Sequence, residues 1–255
     1  MKAAISPTEL QERKREAARA FLRCLLAGEA KPLVAQVILF GSAAWGEPSP
    51  ESDVDVAVVG IRDLERLRRA VADAEQRAYE ERGEGVEALV YPLERLRAPG
   101  SYFLYRVLQG GEAIYAMEER ELRRREAENY LQLAEEYREG AEDALRTGRH
   151  RLAVDTAYNA AELCVKGLLL LQERVKDLPG SHGGLVGEFG KRYVQTGQVG
   201  RELGRQLYQD QALELRNRAR YEFNAQIRRD DAQAVLRLAK ELHTLLEGRL
   251  QRKRS

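Results

Sequence analysis

A chain of 255 residues can bury one large core or two ordinary ones, and two is the better expectation at this length. Its 42 Lys and Arg balance 41 Asp and Glu to a net charge of +1, which excludes charge-driven attachment of the whole molecule to nucleic acid or membrane and leaves such binding to a local patch. The two cysteines, Cys24 and Cys164, are too few and too far apart for a metal knuckle or a disulfide framework, and both read as small core residues.

The chain opens with charged, helix-periodic sequence that lacks an apolar core of signal-peptide length, and no later run is long enough to span a bilayer. The expectation is a soluble, cytoplasmic protein. From Thr8 to Ala27 apolar residues recur at helical spacing, with Ser6, Pro7 and Thr8 as start signals and Gly28 as a stop. Leu33 to Phe40 and Val54 to Val59 are short apolar runs of strand length with β-branched content. Arg62 to Arg82 returns to helical period, and Val86 to Tyr91 is a third strand before Pro92. Up to Met117 the pattern is thus helix, strand, turn, strand, helix, strand. Beyond Glu118 strand signals vanish, and Glu119 to Arg146, His150 to Arg174, Leu185 to Tyr193, Gly200 to Arg220 and Asp230 to Leu250 read as successive amphipathic helices. The fold class expected is α+β: a small mixed-sheet domain over residues 1–118, then an all-α helical bundle over 119–255.

The densest chemistry lies in "LFGSAAWGEPSPESDVDVAVVG", Leu39 to Gly60. A strand alternates its faces, so Asp53 and Asp55 point one way while Val54 and Val56 point the other. Two carboxylates on one face repel by about a few kcal/mol at the effective dielectric near a protein surface, unless a cation sits between them. A divalent metal is the simplest remedy. Gly41 and Ser42 follow the first strand directly. A glycine there lets the backbone approach a phosphate, a serine hydroxyl adds a donor, and a helix start favours an anion. Magnesium suits carboxylate and triphosphate oxygens together: one ion bridges the phosphates and a second lowers the pKa of an attacking hydroxyl.

Written as Gly-Ser, three residues, Gly, five residues, Ser-Asp-x-Asp, the stretch closely resembles the signature of the nucleotidyltransferase superfamily that includes DNA polymerase beta. The likeness is closest to the minimal nucleotidyltransferases and covers roughly residues 30 to 117. It implies that Asp53 and Asp55 hold Mg2+ and that Gly41, Ser42, Gly46 and Ser52 cradle the triphosphate of ATP or another nucleoside triphosphate. A third metal-binding carboxylate is implied from a neighbouring strand. Glu87 in "GVEALVYPLERL" is the candidate, with Glu84 and Glu94 as alternatives, and it is Glu where many relatives carry Asp. Trp45 either stacks on a base or anchors the turn, while Arg62, Arg66 and Arg69 read as a solvated helix face.

In the second half, "AYNAAELCVKGLLLL", "SHGGLVGEFGKRYVQTG" and "ALELRNRARYEF" resemble a HEPN domain, an all-α module often found beside minimal nucleotidyltransferases. Ribonuclease members of that family carry an arginine, a polar residue and, a few positions on, a histidine, often followed two residues later by tyrosine. Here Arg216 and Asn217 are present, but Tyr221 stands where the histidine would be and Phe223 where the tyrosine would be. Without that imidazole, the general base for attack by an RNA 2′-hydroxyl is missing at neutral pH. Phe223 also has no hydroxyl of the kind that the nucleotidyltransferase modifies in toxin–antitoxin relatives. His182 reads as a helix-entry or turn residue rather than a replacement base, and Arg216 and Tyr221 either line a pocket for nucleotide or acceptor or tie helices together. The resemblance as a whole implies transfer of a nucleoside monophosphate, AMP from ATP, onto a hydroxyl of a separate acceptor, with no membrane partner and with the helical half shaping the acceptor pocket and mediating a homodimer. The alternative it leaves is a toxin–antitoxin-type regulatory protein whose HEPN half binds nucleotide or RNA without ribonuclease activity.

Overall fold

A computed structural model describes residues 6–46, 48–172, 178–208 and 212–252, and the chain divides into two units, Met1–Glu118 and Glu119–Ser255. In the first, Ser6 opens helix α1 (Pro7–Ala27) with a reciprocal cap. Its hydroxyl accepts from Glu9 N at 3.2 Å, while the Glu9 carboxylate accepts from Ser6 N at 2.9 Å. Strand β1 (Val34–Leu39) runs into the short helix α2 (Gly41–Trp45), and β2 (Val54–Gly60) returns antiparallel to β1. Helix α3 (Leu64–Arg82) then carries the chain over to β3 (Val86–Pro92), which lies parallel to β2 as such a crossover allows. Helix α4 (Tyr102–Gly110) and β4 (Glu112–Ala116) complete the unit, with β4 antiparallel to β1 and the sheet in the order β3-β2-β1-β4.

Alternation along β2 sorts its side chains between two layers. Val54, Val56 and Val58 pack with Phe21 of α1 and with Leu67, Val71 and Ala74 of α3. Ala57 faces the other way, where Ile38 and Phe40 meet Leu104 and Val107 of α4. Asp53 and Asp55 share the parity of Ala57 and therefore belong to the α4 side of the sheet. Helix α4 and strand β4 did not stand out in the sequence pattern. The helix leaves Tyr102, Phe103 and Tyr105 exposed, which blurs its apolar stripe, and β4 is a five-residue edge strand with no buried residue.

The second unit is helical: α5 (Glu119–Arg146), α6 (His150–Leu170), α7 (His182–Phe189), α8 (Arg201–Tyr208), α9 (Ala212–Tyr221) and α10 (Arg229–Arg252). The core runs along α6, where Val154, Ala157, Tyr158, Ala161, Cys164 and Leu168 are buried, and α5 meets it with the heptad-spaced Ala127, Ala134 and Ala141. Burial pushes the Cys164 thiol up to about 12, with Glu135 adding to it, as befits a core thiol, whereas Cys24 is only half-buried at the edge of the first core.

Three helix boundaries differ from the sequence pattern. Helix α6 ends at Leu170, and Arg174, where the pattern closed, lies outside the described residues. Helix α7 begins three residues early because Ser181 caps it, accepting from Gly184 N at 3.1 Å, and a π-helical turn at Gly190–Val194 follows it. The stretch expected as one helix over 200–220 comprises α8 and α9, with 209–211 outside the described residues. Where α6 crosses α10, a Cβ on Gly167 would lie 2.6 Å from Leu246 Cδ2 and 3.4 Å from the Ala127 carbonyl oxygen. Gly167→Val is therefore expected to overpack this crossing at a cost of about 1–3 kcal/mol, read as a lowered melting temperature by circular dichroism. Among the described residues, no helix is long and apolar enough to cross a membrane.

Candidate functional site

The first site is built by strand pairing. Phe40 N donates to the Asp55 carbonyl at 3.0 Å and Val54 N donates to the Gly85 carbonyl at 2.9 Å, which fixes the start of β2 between its two neighbours. In the parallel β2–β3 register Asp55 pairs with Glu87, so their side chains project from the same face. Asp53, two residues before Asp55, shares that face. Asp53 and Glu87 are exposed and Asp55 is half-buried. Burial, then Glu87, then Asp53 hold the Asp55 carboxyl above the usual carboxylate range. Among the described residues, no Lys, Arg or His is paired with any of the three.

These carboxylates are neighbours without forming a closed cage: among the described residues, no three His, Cys, Asp or Glu side chains converge as a metal-binding group. That openness suits magnesium, which keeps several waters and is usually held by one or two carboxylates together with substrate phosphates. An all-oxygen set carrying uncompensated negative charge fits such an ion.

Two glycines hold the aspartates in place. Gly41 has φ +69°, and a Cβ there would lie 2.1 Å from Asp55 Oδ2. Conformation and space thus both call for glycine. A Cβ on Gly85 would lie 2.2 Å from Asp53 Oδ1. Gly85 escaped the sequence reading because its role depends on the pairing of Val54 with the turn before β3. Gly46, at φ +90°, closes α2 by donating its N–H to the Ser42 carbonyl at 3.0 Å, so its visible role is to shape the turn. The hydroxyls of Ser42 and Ser52 lie 3.4 Å apart, and Ser52 also donates to the Ser49 carbonyl at 2.8 Å.

Trp45 donates Nε1 to the Gly110 carbonyl at 3.0 Å, tying α2 to the end of α4, while 58% of the residue stays exposed. Arg62, Arg66 and Arg69 are exposed, with Arg66 paired to Glu29 at 2.6 Å. Of the three acidic alternatives, Glu84 is buried and ion-paired with Lys14, Glu94 is exposed in the turn after β3, and only Glu87 stands in register with Asp55.

In the helical unit Arg216 and Tyr221 turn apart. Arg216 is buried, with Nε 3.3 Å from Asp155 Oδ1, its guanidinium carbon 5.7 Å from the Tyr158 ring centre, and Nη1 donating to Asn217 Oδ1 at 3.2 Å. Tyr221 and Phe223 are exposed. His182 meets the Tyr158 ring edge-on at 6.0 Å between centroids, and its Nδ1 is paired with Glu162. The buried Tyr158 hydroxyl has no hydrogen-bond partner among the described residues, and burial, followed by Glu162 and opposed by Arg216, raises it above the usual phenol range. Asp155, Tyr158 and Glu162 were missed in the sequence, although their spacing of three and four along α6 places them on one face.

Fold and face together define an α+β unit with an open carboxylate cluster, joined in sequence to a helical unit with a buried arginine. A nucleotidyltransferase domain model matches residues 24–130, and a HEPN domain model matches residues 127–249. The chain is a nucleotidyltransferase–HEPN fusion. No curated protein matches it. The first domain implies a nucleotide substrate and nucleotidyl transfer in general; domains of this kind use a nucleoside triphosphate and a divalent metal.

Proposed function

We propose that this chain transfers AMP from ATP onto a hydroxyl of a separate acceptor, with Asp53, Asp55 and Glu87 holding magnesium. The observation that carries this reading is the Asp55–Glu87 register beside Asp53, with no cation paired to the three among the described residues. Magnesium bound there would neutralise the phosphates and lower the pKa of the attacking hydroxyl. The acceptor oxygen would form its bond to the α-phosphorus as the bond to the pyrophosphate oxygen breaks, and the hydroxyl proton would pass to solvent water. Gly41 leaves room for the Asp55 carboxylate to stand against the backbone of the turn, and Ser42 and Ser52 offer hydroxyls at the same turn for a phosphate. Gly46 holds that turn closed.

Calorimetry of ATP binding in magnesium tests the reading against the Asp53→Asn, Asp55→Asn double substitution. Magnesium-dependent binding that the double change abolishes is expected. Equal binding by both proteins, or none by the unaltered chain, removes the carboxylate cluster from the function.

A second reading concerns the helical domain. Tyr221 and Phe223, 64% and 97% exposed, stand beside Arg218 and Arg220, a pairing of flat rings and cations suited to unstacked RNA bases. The joint Tyr221→Ala, Phe223→Ala change is expected to weaken binding of a fluorescent single-stranded RNA by about tenfold or more, since one stacked base is worth about 1–3 kcal/mol. Unchanged anisotropy titrations would count against RNA as the partner.

A further inference from the structure

Lys14 lies within α1 and is 1% exposed, a position a lysine occupies only when its charge and its donors are met. They are met by Glu84 Oε2 at 2.5 Å, the Ser52 carbonyl at 2.5 Å and the Pro50 carbonyl at 3.4 Å. Glu84 is itself buried, and its other oxygen is taken by Arg13. The pair therefore grips two loops at once. One loop carries Pro50 and Ser52 and delivers Asp53. The other carries Glu84 and Gly85, whose carbonyl accepts from Val54 N and whose Cα backs directly onto the Asp53 carboxylate.

We infer that Lys14 is a positioning residue: through Glu84 and the Ser52 carbonyl, it sets where the Asp53 carboxylate stands relative to Asp55. The inference rests on the reading of Asp53 and Asp55 as cation ligands. A buried ion pair is poorly explained as a stability device, because well-packed apolar side chains of similar volume often serve as well or better. What an apolar pair cannot supply is a donor to the Ser52 and Pro50 carbonyls. The residues just before Asp53 lie in turns outside any helix or strand, so the Lys14 bonds tie an otherwise irregular segment to a helix. Lys14 also precedes residue 24, where the match to the nucleotidyltransferase domain model begins. Lys14 is thus outside the stretch that the domain model describes, whereas its partners Glu84 and Ser52 lie inside it.

The test separates positioning from folding. Lys14→Met alone leaves the buried Glu84 with only the half-exposed Arg13 as a partner and is expected to lower the melting temperature, whereas the double Lys14→Met, Glu84→Met change removes both buried charges and is expected to restore it. The decisive readouts are amide hydrogen exchange at Ser52 to Val54, which needs no nucleotide, and magnesium-dependent ATP affinity. In the double variant, exchange is expected to quicken by about tenfold. Affinity is expected to fall by about 10- to 100-fold, as when support behind a metal ligand is lost. A double variant with restored melting temperature and unaltered exchange would overturn the inference and make the pair a folding element alone. Should the double variant not fold, Lys14→Arg keeps a cation against Glu84 without placing one nitrogen on both carbonyls. It is then expected to show the same faster exchange, and unaltered exchange would overturn the inference equally. If the unaltered chain binds no ATP in magnesium, the nucleotide reading fails, and exchange still decides the role of Lys14.

Discussion

Gly41→Ala is expected to leave the first unit folded while reducing magnesium-dependent nucleotide binding and transfer by about 100-fold, the scale on which a 1 Å misplacement acts in an active site. Two effects meet at this residue. Its φ of +69° costs an L-amino acid about 1–2 kcal/mol. Its added Cβ would also stand 2.1 Å from Asp55 Oδ2, and the carboxylate is the part able to move aside. The Val54, Val56 and Val58 core lies on the opposite face of the sheet and is untouched. Gly83→Ala is the control, because Gly83 has φ +66° with nothing within 4 Å of its would-be Cβ. It carries the backbone strain without the displaced carboxylate, so its melting temperature should fall while nucleotide binding stays whole. Calorimetry and thermal melts on both variants decide the matter. Wild-type binding by Gly41→Ala would mean that the glycine is not there for Asp55.

What could be read from the chain depended on how local each feature is. The parity of Asp53 and Asp55 follows from the two-residue period of a strand, and the shape of the Gly41–Gly46 turn follows from fixed spacing, so both were visible without coordinates. The choice among Glu84, Glu87 and Glu94 was only weakly encoded, since it turns on the Asp55–Glu87 register and on a Lys14–Glu84 contact that spans 70 residues. Helix α4 escaped because its aromatics face outward where an apolar stripe would face inward. Arg216 and Tyr221, read together as lining a pocket or tying helices, are parted by the helix period itself: five residues at about 100° each carry a side chain well round the axis. One is accordingly buried and the other exposed. His182, read in the sequence as a helix-entry or turn residue, does start α7, and it also reaches Glu162 and Tyr158 on α6, a meeting that no linear spacing announces.

Asp55→Asn is expected to make the free protein more stable while costing transfer on the order of 1,000-fold, the scale of losing one group that stabilises developing charge. The folded-state pKa of Asp55 lies above its ordinary value, raised by burial first and by Glu87 and Asp53 after it. The folded chain therefore binds this proton more tightly than the unfolded chain. Stability from this group is fully present below the unfolded pKa and is lost as pH rises through the folded one. At neutral pH the ionised carboxylate is a net cost, and asparagine removes it. The gain is small, because solvent still reaches Asp55. The melting-temperature difference between Asp55→Asn and the unaltered chain should be positive at neutral pH and close as pH falls through the carboxylate range. Magnesium and ATP should then reverse the order. A ligand at 100 times its dissociation constant adds about 2.7 kcal/mol to the protein that binds it, and only the unaltered chain should receive that gain. A variant less stable than the unaltered chain when both are free, or stabilised equally by magnesium and ATP, would show that the negative charge at Asp55 is not kept there for a cation.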